Sequence, residues 1–442
     1  MTQPTSSNVS RLSAADLTKL KRYLMDSLSR GIESEGISSE HRSEFIKQHL
    51  KDVYDQAQLN LSGDIQRLIF QDVLNDMMGF GPIQPLLDDP EVSEVMVNGP
   101  KNIYVEKHGQ LVRTDVTFDD DAHVMRIIDR IILPLGRRVD PDSPTVDARL
   151  PDGSRVNAVV PPVALDGPSI TIRKFLKDKL SPEQLVGYGT LTSGTVEFLR
   201  ACVVSRLNTI ISGGTGSGKT TLLNVLSGFI PENERILTIE DAAELQLQQQ
   251  HVLRLETKTA NVEGGGETTV RDLVRNSLRM RPERVVIGEC RGGETLDMLQ
   301  AMNTGHDGSL TTLHANSSRD ALSRLETMVL MAGVELPLKV IRQQVSSAVD
   351  LIIQQSRMKD GSRRVTAITE VAGMEGDIIV LTDIFKFEQT GVAEGGKILG
   401  ELKATGIRPQ FSPRLEAAGF KLGGDIFGTS IADMLTNRQQ RR

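Results

Sequence analysis

Nine consecutive residues read Gly213-Gly214-Thr215-Gly216-Ser217-Gly218-Lys219-Thr220-Thr221. They fit G-x-x-x-x-G-K-[ST], the phosphate-binding loop of nucleotide triphosphatases. Glycines let successive backbone N–H groups turn inward around phosphate oxygens, and the positive end of the following helix points at the same anion. We expect Lys219 to reach the β- and γ-phosphates and the Thr220 hydroxyl to bind Mg²⁺. The sequence therefore predicts a site for ATP and Mg²⁺ at residues 213–221.

The residues on either side of this loop fit its usual setting. The apolar run at 207–212 predicts a short buried strand that enters the loop. Residues 220–229 predict a helix that leaves it, with apolar side chains at Leu222, Leu223, Val225 and Leu226. A strand, a glycine-rich loop and a helix in this order make a chance glycine-rich turn a poor explanation.

Composition restricts what the rest of the chain can be. The 442 residues suggest roughly two to four domains, and 38% hydrophobic residues can supply ordinary globular cores. Tryptophan is absent and the net charge is -7, which argues against direct handling of nucleic acid. Cys202 and Cys290 form no CxxC pair, which argues against a structural zinc site and fits a reducing cytoplasm. No apolar run approaches the roughly 20 residues of a membrane span, so we expect any membrane role to be peripheral.

Changes of pattern divide the first part of the chain into segments. Residues 1–13 predict a disordered tail. Residues 14–84 have a helical pattern, which Gly79-Phe80-Gly81-Pro82 brings to an end. In this segment Ser62 is a candidate N-cap. Helical spacing places four apolar residues on one face, namely Ile65, Leu68, Ile69 and Val73.

Residues 85–175 have the rhythm of a small α+β domain. Short apolar runs at 95–97 and 103–105 each precede a turn signal and predict two strands. Residues 121–135 predict a helix, and Pro151-Asp152-Gly153 predicts a hairpin turn.

The remaining residues predict a linker and an α/β domain. Residues 176–190 carry proline and glycine and alternate little, as is typical of an interdomain linker. Over 191–442, strands alternate with helices, which predicts a mostly parallel sheet covered by helices. We interpret the glutamine-rich run at 246–250 as a polar strand face.

Two acidic stretches follow apolar runs that predict strands. Residues 235–241 end in Glu240 and Asp241, at the carboxyl end of a strand, where α/β sheets place their sites. Glu240 is a candidate for orienting the attacking water, although a carboxylate here can also cap a helix. In the second stretch Gly288 stands before Glu289, where an aspartate usually serves Mg²⁺. We therefore expect Thr220 to be the direct Mg²⁺ ligand and Glu289 to act through water or as the base.

Two histidines bracket a predicted strand at 309–313. We interpret His306 and His314 as hydrogen-bond sensors of the γ-phosphate. A metal pair lacks a third ligand, because Asp307 is adjacent rather than convergent. A structural role for one of the two histidines stays open.

Phosphoryl transfer also gains from a cation placed on the developing charge. Candidates on the predicted strands of the smaller domain are Arg149, Arg155 and Arg173. A surface salt bridge is the commoner role of any single arginine. A second group precedes Glu289 on a predicted helical stretch, namely Arg271, Arg275, Arg279 and Arg281.

Taken together, these stretches resemble the signature boxes of the type II/type IV secretion ATPases. The boxes are the phosphate loop, the acidic box, a glutamate-only second Walker box and the histidine box, in that order. Within that superfamily the chain is similar to the Tad/Flp-pilus branch, the CpaF/TadA-like ATPases, over nearly its whole length. A four-cysteine zinc insert is absent, which separates it from the type II secretion and type IVa/b pilus-extension branches. The runs that carry the similarity are Gly79-Phe80-Gly81-Pro82-Ile83-Gln84-Pro85-Leu86-Leu87, Val95-Met96-Val97-Asn98-Gly99, Asp147-Ala148-Arg149-Leu150-Pro151-Asp152-Gly153-Ser154-Arg155-Val156-Asn157 and Ile287-Gly288-Glu289-Cys290-Arg291-Gly292-Gly293-Glu294.

The resemblance implies a fold and an assembly. The fold is α/β, with a RecA-like P-loop ATPase domain at 191–442 behind an N-terminal α+β, PAS-like domain at 85–175. The extra helical segment at 14–84 is the part this branch adds. The assembly is a homohexameric ring with ATP between the two domains of each subunit.

The resemblance also implies roles for single residues. Arg155 and Arg173, with Arg149, contact the ATP phosphates when the linker closes. Glu240 belongs to the acidic box and Glu289 to the second Walker box. His306 and His314 form the histidine box.

The resemblance thus predicts a cytoplasmic ATP hydrolase that is peripherally associated with the inner membrane. It would do mechanical work on inner-membrane platform proteins for Tad/Flp pilus assembly, without direct contact with nucleic acid. One rival is a conjugation-type secretion ATPase that drives DNA or protein transfer. Another is a nucleotide-binding regulator that switches conformation without turnover. The presence of Lys219, Glu240, Glu289 and both histidines argues against the regulator.

Overall fold

The computed structural model describes residues 14–35, 42–57, 61–175, 180–258 and 265–427. The tail predicted at 1–13 lies outside the described residues. The chain divides into two compact units, residues 1–175 and 176–442. No helix within the described ranges is both long and apolar enough to cross a lipid bilayer.

The first unit begins with three helices that share a small core. They are α1 (Ala14–Glu35), α2 (Arg42–Gln56) and α3 (Gly63–Met78). Ser62 occupies the N-cap position of α3, but its side chain makes no capping hydrogen bond. The prediction that Leu68 lies on the buried face of α3 is wrong, since its side chain is 67% exposed. Helical periodicity gives the direction of the apolar face, but it does not say how wide that face is. The buried residues of the bundle's apolar cluster are Leu24, Leu28, Ile46, Leu50, Val53, Ile69 and Val73.

An antiparallel sheet and one long helix form the rest of the first unit. The strand order is β3-β2-β1-β6-β5-β4. The elements are a 3₁₀ turn (Gly81–Ile83), α4 (Gln84–Asp88), β1 (Val92–Asn98), β2 (Ile103–Lys107), β3 (Gln110–Arg113), α5 (Asp121–Ile132), β4 (Thr145–Arg149), β5 (Arg155–Val159) and β6 (Ser169–Arg173). Asp120 caps α5 by accepting the backbone N–H of His123 at 2.8 Å. The helix predicted at 121–135 is confirmed, with its end in a 3₁₀ turn (Leu133–Leu135), and the hairpin turn predicted at 151–153 joins β4 to β5.

A buried carboxylate joins the helical bundle to α5. Asp76 on α3 is 4% exposed and forms an ion pair with Lys21 of α1 at 2.7 Å. His123 of α5 lies 3.5 Å from the same carboxyl group, and Arg130 of α5 donates to the backbone carbonyls of Asp76 and Gly79. Burial alone would raise the pKa of Asp76, but hydrogen bonds from His123 and Lys21 outweigh it and lower that pKa. The bundle is therefore tied to the sheet domain by charge and hydrogen bonds.

The second unit alternates helices and strands. Its elements are α6 (Pro182–Gly187), α7 (Ser193–Val204), β7 (Thr209–Gly213), α8 (Lys219–Ser227), β8 (Ile236–Glu240), β9 (Val252–Glu256), α9 (Val270–Ser277), β10 (Arg284–Ile287), α10 (Glu294–Asn303), β11 (Leu310–Leu313), α11 (Ser318–Leu330), α12 (Leu338–Ala348), β12 (Leu351–Arg357), β13 (Arg363–Glu375), β14 (Ile378–Val392), β15 (Ile398–Ala404), α13 (Ser412–Ala417) and α14 (Gly424–Phe427). The segment predicted as a linker at 176–190 holds α6, which is closed by a capping box of Ser181 and Gln184. Leu185 of α6 is 4% exposed and packs in the core of the second unit.

One nine-stranded sheet runs through the second unit in the order β15-β14-β13-β12-β7-β11-β10-β8-β9. Neighbours from β12 to β9 are parallel, and neighbours from β12 to β15 are antiparallel. Successive residues of β7 enter two different apolar clusters, Ile210 one and Ile211 the other, as a strand buried on both faces requires. The run at 246–250 contains no strand, so that prediction is wrong. Gln249 instead donates to the carbonyls of Ser227 and Ile230, which closes the turn after α8.

A buried asparagine fixes β7 to both of its neighbours. Asn208 is 3% exposed and directly precedes β7. Its Oδ1 accepts the backbone N–H groups of Gly308 at 2.8 Å and Ser309 at 3.1 Å, just before β11. Its Nδ2 donates to the carbonyl of Ala348 at 2.7 Å, just before β12. One side chain thus sets the starting point of three parallel strands.

We expect Asn208→Ala to destabilise the protein by about 3 kcal/mol, because two buried N–H groups and one carbonyl lose their partners. Urea unfolding followed by circular dichroism measures this loss. Asn303→Ala removes an exposed asparagine from α10 and serves as the control, with an expected change below about 1 kcal/mol. Equal effects of the two substitutions would show that Asn208 does not fix the strands.

Candidate functional site

Four predicted features meet at one edge of the second sheet. Strands β7, β11, β10 and β8 are neighbours and run in parallel, so their carboxyl ends lie side by side. The phosphate loop follows β7, and Glu240 is the last residue of β8. Glu289 comes two residues after β10, and His314 directly follows β11. The order of strands therefore assembles residues that are up to about a hundred positions apart.

The phosphate loop connects the buried strand β7 to helix α8. Gly216 and Gly218 have φ of 68° and 97°, a backbone region that favours glycine. A Cβ at Gly213 would collide with the backbone oxygen of Gln355 on β12, so the chain needs glycine there as well. Lys219 is 8% exposed, and its Nζ donates to the carbonyl of Gly214 at 3.1 Å. The ammonium group of Lys219 thus lies inside the loop, where it is bonded to a loop carbonyl.

A chain of polar contacts leads from the loop lysine to Glu289. Both ring nitrogens of His314 lie 3.5 Å from Nζ of Lys219. Nε2 of His314 lies 2.8 Å from Oε1 of Glu289, and Arg291 donates to Oε2 of Glu289 at 2.7 Å. Burial, followed by the charge of Lys219, lowers the pKa of His314, so the imidazole is neutral near pH 7. Glu289 thus lies between Arg291 and His314, and its Oε1 has no hydrogen-bond partner among the described residues.

Glu240 is the most deeply buried acid of this edge. It is 3% exposed, and its Oε1 accepts the backbone N–H groups of Glu244 at 2.8 Å and Leu245 at 2.9 Å. Burial raises the pKa of Glu240 to about 7, although those two hydrogen bonds lower it. A Cβ at Gly288 would lie 2.9 Å from Cγ of Glu240. Glycine occupies the place of the usual aspartate because Glu240 fills the space that a side chain would need.

His306 does not join this group. It precedes β11, whereas His314 follows that strand, so the two lie at opposite edges of the sheet. The four residues of β11 separate these edges by roughly 13 Å. The carbonyl of His306 accepts the hydroxyl of Ser309 at 2.8 Å, in the turn that enters the strand. The structure therefore does not bring His306 to the phosphate loop of the same unit, and its role at the γ-phosphate stays a prediction.

The three candidate arginines of the first unit form a row. Arg149 of β4 is paired with Arg155 of β5, which is paired in turn with Arg173 of β6. Residues that are directly opposite across antiparallel strands project from the same face of the sheet. Glu94 of β1 is in turn directly opposite Arg173, so a carboxylate follows the three arginines on the same face. Their role at the ATP phosphates stays a prediction.

The second group of arginines has a structural role where it is helical. Arg271 and Arg275 of α9 each donate through Nε to Asp297 of α10 at 2.8 Å. Arg279 and Arg281 lie beyond the end of α9, so the observed helix is shorter than the predicted one. The ordinary salt bridge accounts for the first two residues.

Three residues near the phosphate loop were not among the predicted site residues. Arg291 holds Glu289, and Arg357 and Arg363 lie on the hairpin that flanks the loop. The sequence did offer a reason to select Arg291, because it stands two residues after Glu289 in the run 287–294 that resembles the family. The other two reach the loop only through strand pairing, which the sequence does not reveal.

Metal ligands are sparse around this edge. Within the described ranges, no group of three or more histidine, cysteine, aspartate or glutamate residues is placed to hold a metal ion. Thr220 is the second residue of α8, directly after Lys219, and is half-buried. Cys290 is fully buried and burial raises its thiol pKa to about 12, so it is not a nucleophile at neutral pH.

The chain belongs to the family of type II/IV secretion system proteins, whose model matches residues 76–372. A putative conjugal transfer protein of Mycobacterium tuberculosis H37Rv is 36% identical over 327 residues, which cover 72% of this chain and 92% of the relative. Conjugal transfer protein TrbB of Rhizobium radiobacter is 32% identical over 293 residues, covering 65% and 86%. The crystal structure of the VirB11 ATPase from the Brucella suis type IV secretion system, in complex with sulphate, is 29% identical, covering 65% and 92%, with a TM-score of 0.37.

We expect Gly288→Ala to displace Glu240 and to destabilise the protein by about 1–3 kcal/mol, because the new Cβ overlaps the Glu240 side chain. Thermal unfolding measures the effect. Gly194→Ala is the matched control, since Gly194 lies in α7 with nothing within 4 Å of a built Cβ. The control is expected to stabilise by about 0.4–1 kcal/mol, and a Gly288→Ala protein of wild-type stability would show that Glu240 has room to move.

The raised pKa of Glu240 predicts a pH dependence of stability. Unfolded chains release this proton near pH 4.5 and the folded chain near pH 7, so stability falls as the pH rises through that interval and then levels off. Glu240→Gln removes the fall. We expect the difference in free energy of unfolding between the variant and wild type to be about 2–3 kcal/mol larger, in favour of the variant, at pH 8 than at pH 5. Urea unfolding measures this difference. Glu388→Gln, at an exposed position on β14, should show no such trend, and a flat difference for Glu240→Gln would contradict the assigned burial cost.

Proposed function

We propose that the protein is a RecA-like P-loop ATPase that powers a type IV-type secretion or conjugation machine. The observation that carries the proposal is the contact chain from the loop lysine to an acid. Lys219 meets His314, and His314 meets Glu289, at the edge where the phosphate loop ends. A loop that binds phosphate, a neutral sensor beside it and a carboxylate within reach are the parts that phosphoryl transfer to water needs.

In this proposal the loop and Lys219 bind the β- and γ-phosphates of ATP. The Lys219 ammonium exchanges its hydrogen bond to the Gly214 carbonyl for phosphate oxygens. The Thr220 hydroxyl would hold Mg²⁺ together with phosphate oxygens and water, and Glu289 would contact it through water. When bound, Mg²⁺ neutralises charge that develops on the phosphates.

Glu289 acts as the general base. It accepts a proton from the water that attacks the γ-phosphorus, while the bond to the β-phosphate oxygen breaks and ADP leaves. Arg291 donates to Oε2 of Glu289, whereas Oε1 has no hydrogen-bond partner among the described residues and is the oxygen available to the water. His314, 2.8 Å from that oxygen, is placed to donate to the γ-phosphate. Glu240, half-protonated near pH 7, orients the same water.

Cations for the transition state come from the first unit in this proposal. The arginine row formed by Arg149, Arg155 and Arg173 would contact the phosphates when the two units close. Closure and opening through the cycle would convert nucleotide state into movement. The working form is a cytoplasmic homohexameric ring on the inner membrane, as is expected for a motor that acts on a membrane platform.

The choice of machine follows the relatives. Both curated relatives described above are named conjugal transfer proteins, and the VirB11 ATPase comes from a type IV secretion system. These names favour a conjugation-type secretion ATPase over our first expectation, Tad/Flp pilus assembly. The acidic net charge of -7 supports action on a protein platform rather than on DNA itself.

Tad/Flp pilus assembly is the second candidate. It is favoured by the motif runs at 79–87, 95–99, 147–157 and 287–294, and by the helical segment before them. Deletion in the source cell, complemented with wild type or Lys219→Ala, separates the two machines. Loss of DNA or effector transfer with normal surface pili supports the first, and loss of pilins from the surface with normal transfer supports the second.

We expect the purified protein to hydrolyse ATP slowly in the presence of Mg²⁺ and to form hexamers with a non-hydrolysable analogue. Lys219→Ala should lose nucleotide binding by more than about tenfold, because the cation on the phosphates is removed. Glu289→Gln should still bind ATP and lower kcat by roughly a hundredfold or more. Phosphate release measures ATP hydrolysis, and light scattering on a sizing column measures hexamer formation.

The matched control is Glu388→Gln, which neutralises an exposed glutamate paired with Lys403 on the antiparallel part of the sheet. It should leave turnover unchanged. Normal turnover in Lys219→Ala would reject the site. Tight ATP binding without hydrolysis by the wild-type hexamer would instead favour a nucleotide-dependent regulator.

A further inference from the structure

Strand β12 lies along the phosphate loop. It pairs in parallel with β7, and its Gln355 is in register with Gly213, the first residue of the loop. The backbone carbonyl of Gln355 fills the space that a side chain at Gly213 would need. Nε2 of Gln355 lies 3.1 Å from the point where a Cβ on Gly218 would stand. One residue of β12 thus lies against both ends of the glycine-rich part of the loop.

The side chain of Gln355 is buried with an unused acceptor. It is 2% exposed, and its Oε1 has no hydrogen-bond partner in the part of the chain that the structure describes. Most buried polar atoms in folded proteins are hydrogen-bonded, because an acceptor that leaves water without gaining a donor is unfavourable. An unpartnered amide oxygen against a phosphate-binding loop therefore points to a bond that forms in another state of the loop.

Ser217 carries the matching donor on the loop. It is 1% exposed, and its hydroxyl also lacks a hydrogen-bond partner within the described ranges. Its Oγ lies 2.6 Å from the point where a Cβ on Gly213 would stand, which is the space that the Gln355 carbonyl borders as well. A hydroxyl donates one hydrogen bond and an amide oxygen accepts it. The loop and β12 thus each contribute one half of a buried hydrogen bond.

The backbone around Ser217 is held by donors that a phosphate group would also attract. The carbonyl of Gly214 accepts the Ser217 backbone N–H at 3.3 Å and Nζ of Lys219 at 3.1 Å. Loop N–H groups and a lysine ammonium are the donors that bind phosphate oxygens in such loops. When an anion takes them from the Gly214 carbonyl, the backbone at Ser217 turns and its side chain turns with it.

We propose that Gln355 is a positioning residue of the phosphate loop. When the loop binds phosphate, the Ser217 hydroxyl donates to Oε1 of Gln355 and fixes the loop in its phosphate-binding shape. The inference rests on the proposed function, since it takes the ligand of the loop to be a nucleoside polyphosphate. Gln355 does not touch the nucleotide and acts through Ser217. Loss of either partner therefore weakens nucleotide binding, and loss of both weakens it no further.

The test is a double-mutant cycle in the full chain, with wild type, Gln355→Met, Ser217→Ala and the double variant. A fluorescent ATP analogue measures affinity, and thermal unfolding without nucleotide measures stability. We expect all three variants to weaken binding by the same factor of about three to ten, because the same hydrogen bond is lost in each. Methionine keeps the length of glutamine and removes the unpartnered oxygen, so Gln355→Met should melt at or above the wild-type temperature.

Gln249→Met is the matched control. Gln249 is also buried, but its Nε2 donates to the carbonyls of Ser227 and Ile230, at the opposite end of α8 from the loop. The control variant should melt below wild type, because two carbonyls lose their donor, and it should bind the ATP analogue like wild type. The two glutamines are thus expected to differ in both measurements.

The outcomes separate the inference from the proposed function. A wild-type chain that does not bind the ATP analogue overturns both together. Wild-type affinity in Gln355→Met or in Ser217→Ala overturns the inference alone, as does a double variant whose loss is the product of the two single losses. A melting temperature of Gln355→Met below that of wild type also overturns it, since the amide oxygen would then have a partner before nucleotide binds. An equal loss of affinity in Gln249→Met would trace the effect to general destabilisation and overturn it too.

Discussion

The side chain of Asn208 is the constraint on which the second unit depends. Its amide holds the start of β7 to the start of β11 on one side and to the start of β12 on the other. Parallel strands that start in register stay in register, because each residue advances them by the same distance. The phosphate loop, His314 and the last residues of β12 therefore reach one edge from a single reference point at the opposite edge. A shift of one residue there would turn every side chain of the shifted strand to the other face.

Local patterns were enough to predict the phosphate loop and the acids beside it. A glycine-rich loop has its own backbone requirements, and Glu240 and Glu289 stand at the ends of short apolar runs that favour buried strands. The carboxyl ends of parallel strands meet by rule, so convergence followed from the fold class. The family resemblance named the class correctly, and its finer branch is not decided by the relatives.

What the sequence could not predict depends on pairing between distant strands. Arg357 and Arg363 lie more than 130 positions after the loop and reach it because β12 pairs with β7. The separation of His306 from His314 depends on which end of β11 meets the loop, and the spacing of the two histidines in the sequence does not reveal that end. The need for glycine at 288 arises from Glu240 on the neighbouring strand. The prediction that Leu68 is buried is wrong for a related reason, since the neighbouring helices decide how wide the buried face of α3 is.

The tie at Asp76 has a consequence for how this chain was put together. The three-helix bundle and the sheet domain keep separate apolar cores, and the contacts that join them are ionic and hydrogen-bonded. The match to the family model also begins at residue 76. A junction that rests on ionic contacts places few demands on the shape of the two surfaces. The part of the chain that the family model matches can therefore keep its structure while the bundle before it varies between relatives.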